Sequence, residues 1–205
     1  MKLEPAQSRA RETIEQIIVA TAELLEEVGF ERLSTNMVCK RANITPPALY
    51  RYFPNKYAIL REMGRRLMEA EDAIVFRWLE SGEGDGLATV EEQIEQQMQL
   101  RKELRKVALE QPGGVIILRV MRAVPVLREV REQSVEAVVD AIYDRLCSAW
   151  PDIDQTRLRT AAILSTNLST ATNELILDTP ELEDTVSQEF ARMVALYYAD
   201  LLGTS

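Results

Sequence analysis

Residues 43–60, NITPPALYRYFPNKYAIL, gather Tyr50, Arg51, Tyr52 and Lys56 behind a Thr-Pro-Pro step. Hydroxyls and cations at this density suit a polyanion. Tyrosine and threonine hydroxyls donate to phosphate oxygens, ammonium and guanidinium groups pair with them, and rings and prolines offer apolar contact to base edges. The chain around the cluster is acidic, with net charge −9, but unevenly so. Through residue 66 there are 11 Lys/Arg against 8 Asp/Glu; after it there are 13 against 25. A weakly basic end on an acidic body points that end toward a polyanion.

Other chemistries have little to draw on. There is no histidine, so histidine triads and the common His-containing zinc sites are excluded. The di-iron helical bundle, which needs Glu-x-x-His, is disfavoured. Paired carboxylates such as Glu91 with Glu95, or Glu110, keep open an all-α carboxylate-based enzyme. Their spacing equally fits solvated helix faces, and no nucleophile–base pair accompanies them. No catalytic residue, metal or cofactor is expected. Cys39 and Cys147 lie far apart and read as reduced thiols. The longest apolar runs resemble VIIL at 115–118, far short of a membrane span. The charged N-terminus lacks the apolar segment of a secretory signal. The expectation is a cytoplasmic protein with no membrane partner.

The elements that must position the cluster follow from hydrophobic spacing. Residues 10–28 place Ile14, Ile17, Ile18, Leu25 and Val28 on one helical face, and Gly29 stops the helix. Ser34 caps a short helix with Val38, Cys39 and Ala42 inward. Asn43 tolerates the left-handed turn, and Ile44 plugs the core. Thr45 caps the next helix with Pro46 in its first position, where no amide bond is lost. The prolines thus begin a helix that runs through ALYRYF to about Pro54. Lys56 opens a longer one, striped by Leu60, Met63, Leu67, Ile74 and Trp78, which ends at the glycine-rich SGEGDG (81–86). Five further helices are expected, at about 88–109, 115–123, 125–150, 155–178 and 181–202. The fold class is all-α, with about nine helices.

Helix, tight turn, helix over 34–52 is the layout that places a second helix in the DNA major groove. With LSTNMVCKRANITPPALYRYFPNKYAIL in view, the chain resembles the TetR family of bacterial transcriptional regulators over about residues 10–65. That family's unit typically ends in Leu-Tyr-x-Tyr/His-Phe, then a turn and a lysine that starts the fourth helix. Here these are Leu49, Tyr50, Tyr52, Phe53 and Lys56. Two positions depart from it. Asn43 stands where many members have glycine, and Pro46-Pro47 replaces commoner Lys, Gln or Gly residues, which puts the operator sequence in question.

The resemblance implies an N-terminal three-helix helix-turn-helix DNA-binding domain (1–55) and a larger helical effector-binding and dimerisation domain (56–205). Its implied function is a homodimeric, sequence-specific repressor, released from a palindromic double-stranded DNA operator by a small-molecule effector; the Met and aromatic residues of the middle helices fit an apolar or amphipathic one. The alternative is a helical binding module of this fold that has lost DNA binding. Thr35 and Asn36 would face DNA. Thr45 would offer its hydroxyl and nearby amides to a phosphate, and Pro46, Pro47 and Tyr50 would meet base edges or methyls. Arg51, Tyr52 and Lys56 would reach phosphates. Against these roles, either tyrosine can simply pack the helix and Lys56 can be an ordinary solvated lysine. Arg9 and Arg11 form either an arm on the DNA backbone or a loose tail.

In the body, the resemblance places the dimer seam on the last two helices, with Ala161, Leu164, Leu168, Phe190, Val194, Tyr197 and Leu201 as candidates. The polar run STNLSTATNE (165–174) is either a close-packed seam or the lining of a pocket. Trp78, Met98, Met121, Tyr143, Cys147 and Asn173 are the candidates for an effector pocket, with plain core packing as the alternative.

Overall fold

The computed structural model describes residues 5–203, the side chains of 5–7 aside. Its elements are α1 (Pro5–Arg32), α2 (Thr35–Arg41), α3 (Pro46–Tyr50), α4 (Lys56–Glu80), α5 (Val90–Glu110), α6 (Gly114–Ala123), α7 (Arg128–Ala149), α8 (Gln155–Asp178) and α9 (Glu183–Leu202). Single 3₁₀ turns at Pro125–Leu127 and Pro180–Leu182 lead into α7 and α9. In each, proline supplies a preset φ where the chain must start a new turn without an amide to spare. The chain is all-α among the described residues.

Two compact units form. The first comprises Met1–Leu67 with Ala108–Val130; the second comprises Met68–Val107 with Arg131–Ser205. In the first, Ile17, Leu25, Val38, Leu49, Ile59, Leu60, Leu67 and Ile117 are essentially closed to solvent. Burial of each such side chain contributes about 1.5–3 kcal/mol, so this core fixes α1, α2, α3 and the start of α4 against one another. α6 packs on α1. Gly113 permits that seat. Its φ is +66°, and a Cβ there would lie 2.9 Å from Cβ of Ala22. Any other residue would be strained in its backbone and pushed against α1.

Gly29 does less than the sequence suggests. It breaks the helical geometry with φ 75° and ψ 170°, yet one further turn follows it to Arg32. Ile44 is half-buried, not a full plug.

The second unit is organised by α8 against α9. Leu146, Leu158, Ala161, Phe190, Val194, Tyr198, Leu201 and Leu202 form one buried cluster, flanked by Tyr143, Cys147, Trp150 and Leu168. Polar ties close it. Trp150 Nε1 donates to the carbonyl of Asp85 at 2.6 Å, and Arg145 pairs with the Asp85 carboxylate at 2.8 Å. No helix is long and apolar enough to cross a membrane among the described residues.

Candidate nucleic-acid interface

Local chemistry builds the helix-turn-helix one bond at a time. Ser34 Oγ accepts from the amide of Met37 at 3.4 Å and starts α2. The chain leaves α2 through Asn43, whose φ is 52°. That left-handed residue lets the Ile44 amide reach back to the Cys39 carbonyl at 3.0 Å, closing the turn. Arg41 then braces α2 to α1 through Glu23 at 2.9 Å and Glu27 at 2.6 Å. The hydrogen bond from Arg41 holds the Glu27 carboxyl below its ordinary range.

α3 is five residues long and begins at Pro46. Thr45 occupies the capping position with extended φ and ψ, but its hydroxyl caps nothing. The prolines explain this. They remove the first two helical amides, and the next two, of Ala48 and Leu49, both donate to the Thr45 carbonyl at 3.0 and 3.1 Å. The amides inside the first turn of α3 are thus absent or taken, which leaves the hydroxyl of exposed Thr45 unclaimed by the cap. Leu49 and Phe53 are buried and anchor the segment.

Pro46, Pro47, Tyr50 and Arg51 stand exposed on one ridge, beside exposed Asn36 and Thr45. Tyr50 is 49% exposed, yet its hydroxyl lies 3.0 Å from Thr35 Oγ1. This bond ties the first turn of α2 to the end of α3, joining two predicted residues that are 15 positions apart. Tyr52 is half-buried, with the Arg51 guanidinium 5.8 Å from its ring centre. Lys56 is also half-buried. Its Nζ donates to the Phe30 carbonyl at 3.1 Å and sits 4.4 Å from the Phe30 ring centre. It therefore ties the end of α1 to the start of α4, whatever else its remaining N–H groups meet.

Two contributors were missed from the sequence. Lys40 is exposed one turn beyond Asn36 on α2; an i, i+4 count from Asn36 would have found it. Asn55 caps α4, accepting from the Ala58 amide at 3.0 Å, as its place just before the helix could have told. Arg9 and Arg11 are exposed on the first turns of α1, which makes them part of a helix and not a loose tail.

The body residues scatter more. Of the effector candidates, Met121 is buried in the first unit, its sulfur against Gly64. The other five lie in the second. Trp78 lies against Gly84, where a Cβ would collide with its ring, and its Nε1 is buried without a partner. Met98 is half-buried. Tyr143 and Cys147 flank the core cluster, with the Arg159 guanidinium 5.2 Å from the Tyr143 ring centre. Asn173 accepts from Arg101 Nη2 at 2.9 Å.

Of the dimer candidates, Ala161, Phe190, Val194 and Leu201 are buried within the chain's own core, so they present no surface to a second copy. Leu168 packs beside that core. Leu164 and Tyr197 are exposed, and Leu175, Met193 and Leu196 join them. Within STNLSTATNE, Ser165 bonds Tyr198 at 3.0 Å and Thr172 Oγ1 donates to the Leu168 carbonyl at 2.7 Å, while Asn167 and Ala171 stay exposed.

The all-helical fold and this capped, proline-started unit have the layout of a helix-turn-helix. Residues 17–63 match the model of the family described as "Bacterial regulatory proteins, tetR family". Solved structures share the fold along nearly the whole chain. A TetR-family regulator from Syntrophomonas wolfei is 12% identical with a TM-score of 0.66, covering 94% of this chain and 96% of that one. The TetR family repressor AlkX from a Dietzia strain, implicated in biodegradation of n-alkanes, is 18% identical with a TM-score of 0.56, covering 92% and 97%. SmeT in complex with triclosan is 17% identical with a TM-score of 0.55, covering 92% and 90%. A search of curated proteins finds no match. Over residues 17–63 the chain matches the TetR family of bacterial regulatory proteins, and along nearly its whole length its fold is similar to that of TetR-family regulators.

Proposed function

We propose that this chain is a homodimeric, ligand-responsive repressor of transcription. Residues 1–55 read a palindromic operator, and residues 56–205 dimerise and bind a small apolar or amphipathic effector. The observation that carries this reading is the exposed ridge of Asn36, Thr45, Pro46, Pro47, Tyr50 and Arg51, fixed by the Ser34 cap, the Asn43 turn and the Thr35–Tyr50 bond. The two prolines offer rigid apolar contact and no amide, so thymine methyls and groove shape carry more of the readout than guanine edges. Arg51, Tyr52, Lys40 and the outer side of Lys56 contact phosphates and set register.

One five-residue helix makes few contacts, and a dimer doubles them over two half-sites. Leu164, Leu175, Met193, Leu196 and Tyr197 form the apolar face that a second copy covers in a four-helix bundle. The effector shifts the body toward the conformation that fits DNA poorly. That AlkX is a repressor and that SmeT has been captured with triclosan supports a repressor and a small-molecule site, respectively. The enzyme alternative gains no support from Glu91, Glu95 and Glu110, which lie exposed along α5. Footprinting on the intergenic DNA upstream of the chain's own gene is the test. Two protected, inverted half-sites are expected. Weak protection spread evenly over the fragment would count against a sequence-specific reader.

A further inference from the structure

Arg101 stands apart from every other cation described. It lies on the inward stripe of α5, alongside Leu100 and Ala108, and its residue is only 8% exposed. Its partners are neutral. Nε donates to Ser187 Oγ at 3.3 Å, and Nη2 donates to Asn173 Oδ1 at 2.9 Å. The guanidinium carbon lies 4.6 Å from the Phe190 ring centre. Nη1 is buried and no protein group among those described accepts from it. Glu183, the carboxylate whose field reaches Arg101, is itself paired with Arg105 at 3.3 Å. Burial pulls the Arg101 guanidinium down to about 10, the direction expected of a cation short of a counter-ion.

Buried charges are normally paired, and an unpaired one is costly to keep. A guanidinium held by two side chains and an aromatic face, with one nitrogen open, is instead arranged for an incoming oxyanion. Thr166 Oγ1, on the same polar stripe of α8 as Asn173, is also buried without a partner, whereas Thr172 bonds back to its own helix.

We propose that Arg101, oriented by Asn173, Ser187 and Phe190, is the anion-binding residue of an effector site within the second unit, and that the effector is a small organic acid whose carboxylate binds Nη1. This rests on the ligand-responsive reading above and narrows its effector from apolar or amphipathic to acidic. Arg101 has no counter-ion when the site is empty and gains one when the acid enters.

The test uses matched probes on the full chain: octanoate against 1-octanol, and benzoate against benzyl alcohol, by calorimetry and thermal shift. At least one acid is expected to bind tenfold or more tightly than its alcohol. Arg101→Met removes that preference, with a Tm in the absence of probe equal to or above that of the parent. Arg101→Lys, which keeps the charge and loses the fork, retains a weakened preference. Neither variant changes DNA affinity without probe, so failure of DNA binding and failure of this site are separate results. Absence of acid binding, equal affinity for acid and alcohol, or a preference that survives Arg101→Met overturns the proposal. A fall in Tm with the preference intact makes Arg101 a structural brace and overturns it too.

Discussion

Tyr50 and Lys56 have different tasks, and their substitutions separate them. The Tyr50 ring stands on the exposed ridge while its hydroxyl holds Thr35. Tyr50→Ala is expected to lose operator preference; Tyr50→Phe keeps the ring and costs about 0.5–1.5 kcal/mol through the lost hydrogen bond. Lys56→Ala is expected to weaken binding to all sequences alike, and to lower stability by roughly 1 kcal/mol because it releases Phe30. Titrations on operator and scrambled DNA check both; unchanged affinities would mean that the ridge does not face DNA. Glu71 adds a pH signature. Burial raises its carboxyl to about 7, with Arg131 opposing the rise and Asp72 reinforcing it. Between pH 4.5 and about 7 the unfolded chain ionises Glu71 while the folded chain keeps its proton. That group's contribution therefore costs stability as pH rises through this window. Glu71→Gln is expected to be near neutral at pH 4.5 and stabilising by roughly 1–3 kcal/mol at pH 8. Urea denaturation at the two pH values reads the difference.

At the scale of elements, short-range signals were legible. Ser34, Asn43 and Pro46 each act within four residues of their own position, so the starts of α2 and α3 and the turn between them could be placed from the sequence, whereas α3 ends at Tyr50, short of the expected Pro54. Asn43 is the sharpest case, being the one non-glycine residue with positive φ among those described. Asn43→Gly is expected to fold as well as the parent, whereas Asn43→Val should cost about 1–3 kcal/mol in chemical denaturation. Long-range choices were not legible. The stripes of α8 and α9 are apolar on more than one side, and periodicity cannot say whether a residue meets its own core or a second copy. Phe190 and Val194 went to the core; Met193 and Leu196 were left outside. Arg101 was missed for a related reason: one of four cations in a Glu- and Gln-rich helix, with Lys102, Arg105 and Lys106 beside it, reads as solvated until the fold shows what covers it.

For the whole molecule, the proposed dimer presents two reading ridges. The exposed face of α8 and α9 includes Met193 at 56% exposure and Leu164 at 53%. Leu196→Glu places a charge in that face and is expected to give monomers by analytical ultracentrifugation, with operator affinity reduced at least a hundredfold. A dimer that survives this change would move the seam elsewhere. The weakly basic N-terminal end and the acidic remainder of the chain have a consequence for the proposed DNA binding: the acidic residues repel DNA while the basic end attracts it, which favours an approach by that end. The most direct measurement is a titration of the protein against its own upstream intergenic DNA and against random DNA of equal length, at two salt concentrations. A sequence-specific, phosphate-anchored reader gives a clear preference for its own DNA and an affinity that falls steeply with salt. Equal binding to both DNAs at both concentrations would contradict it.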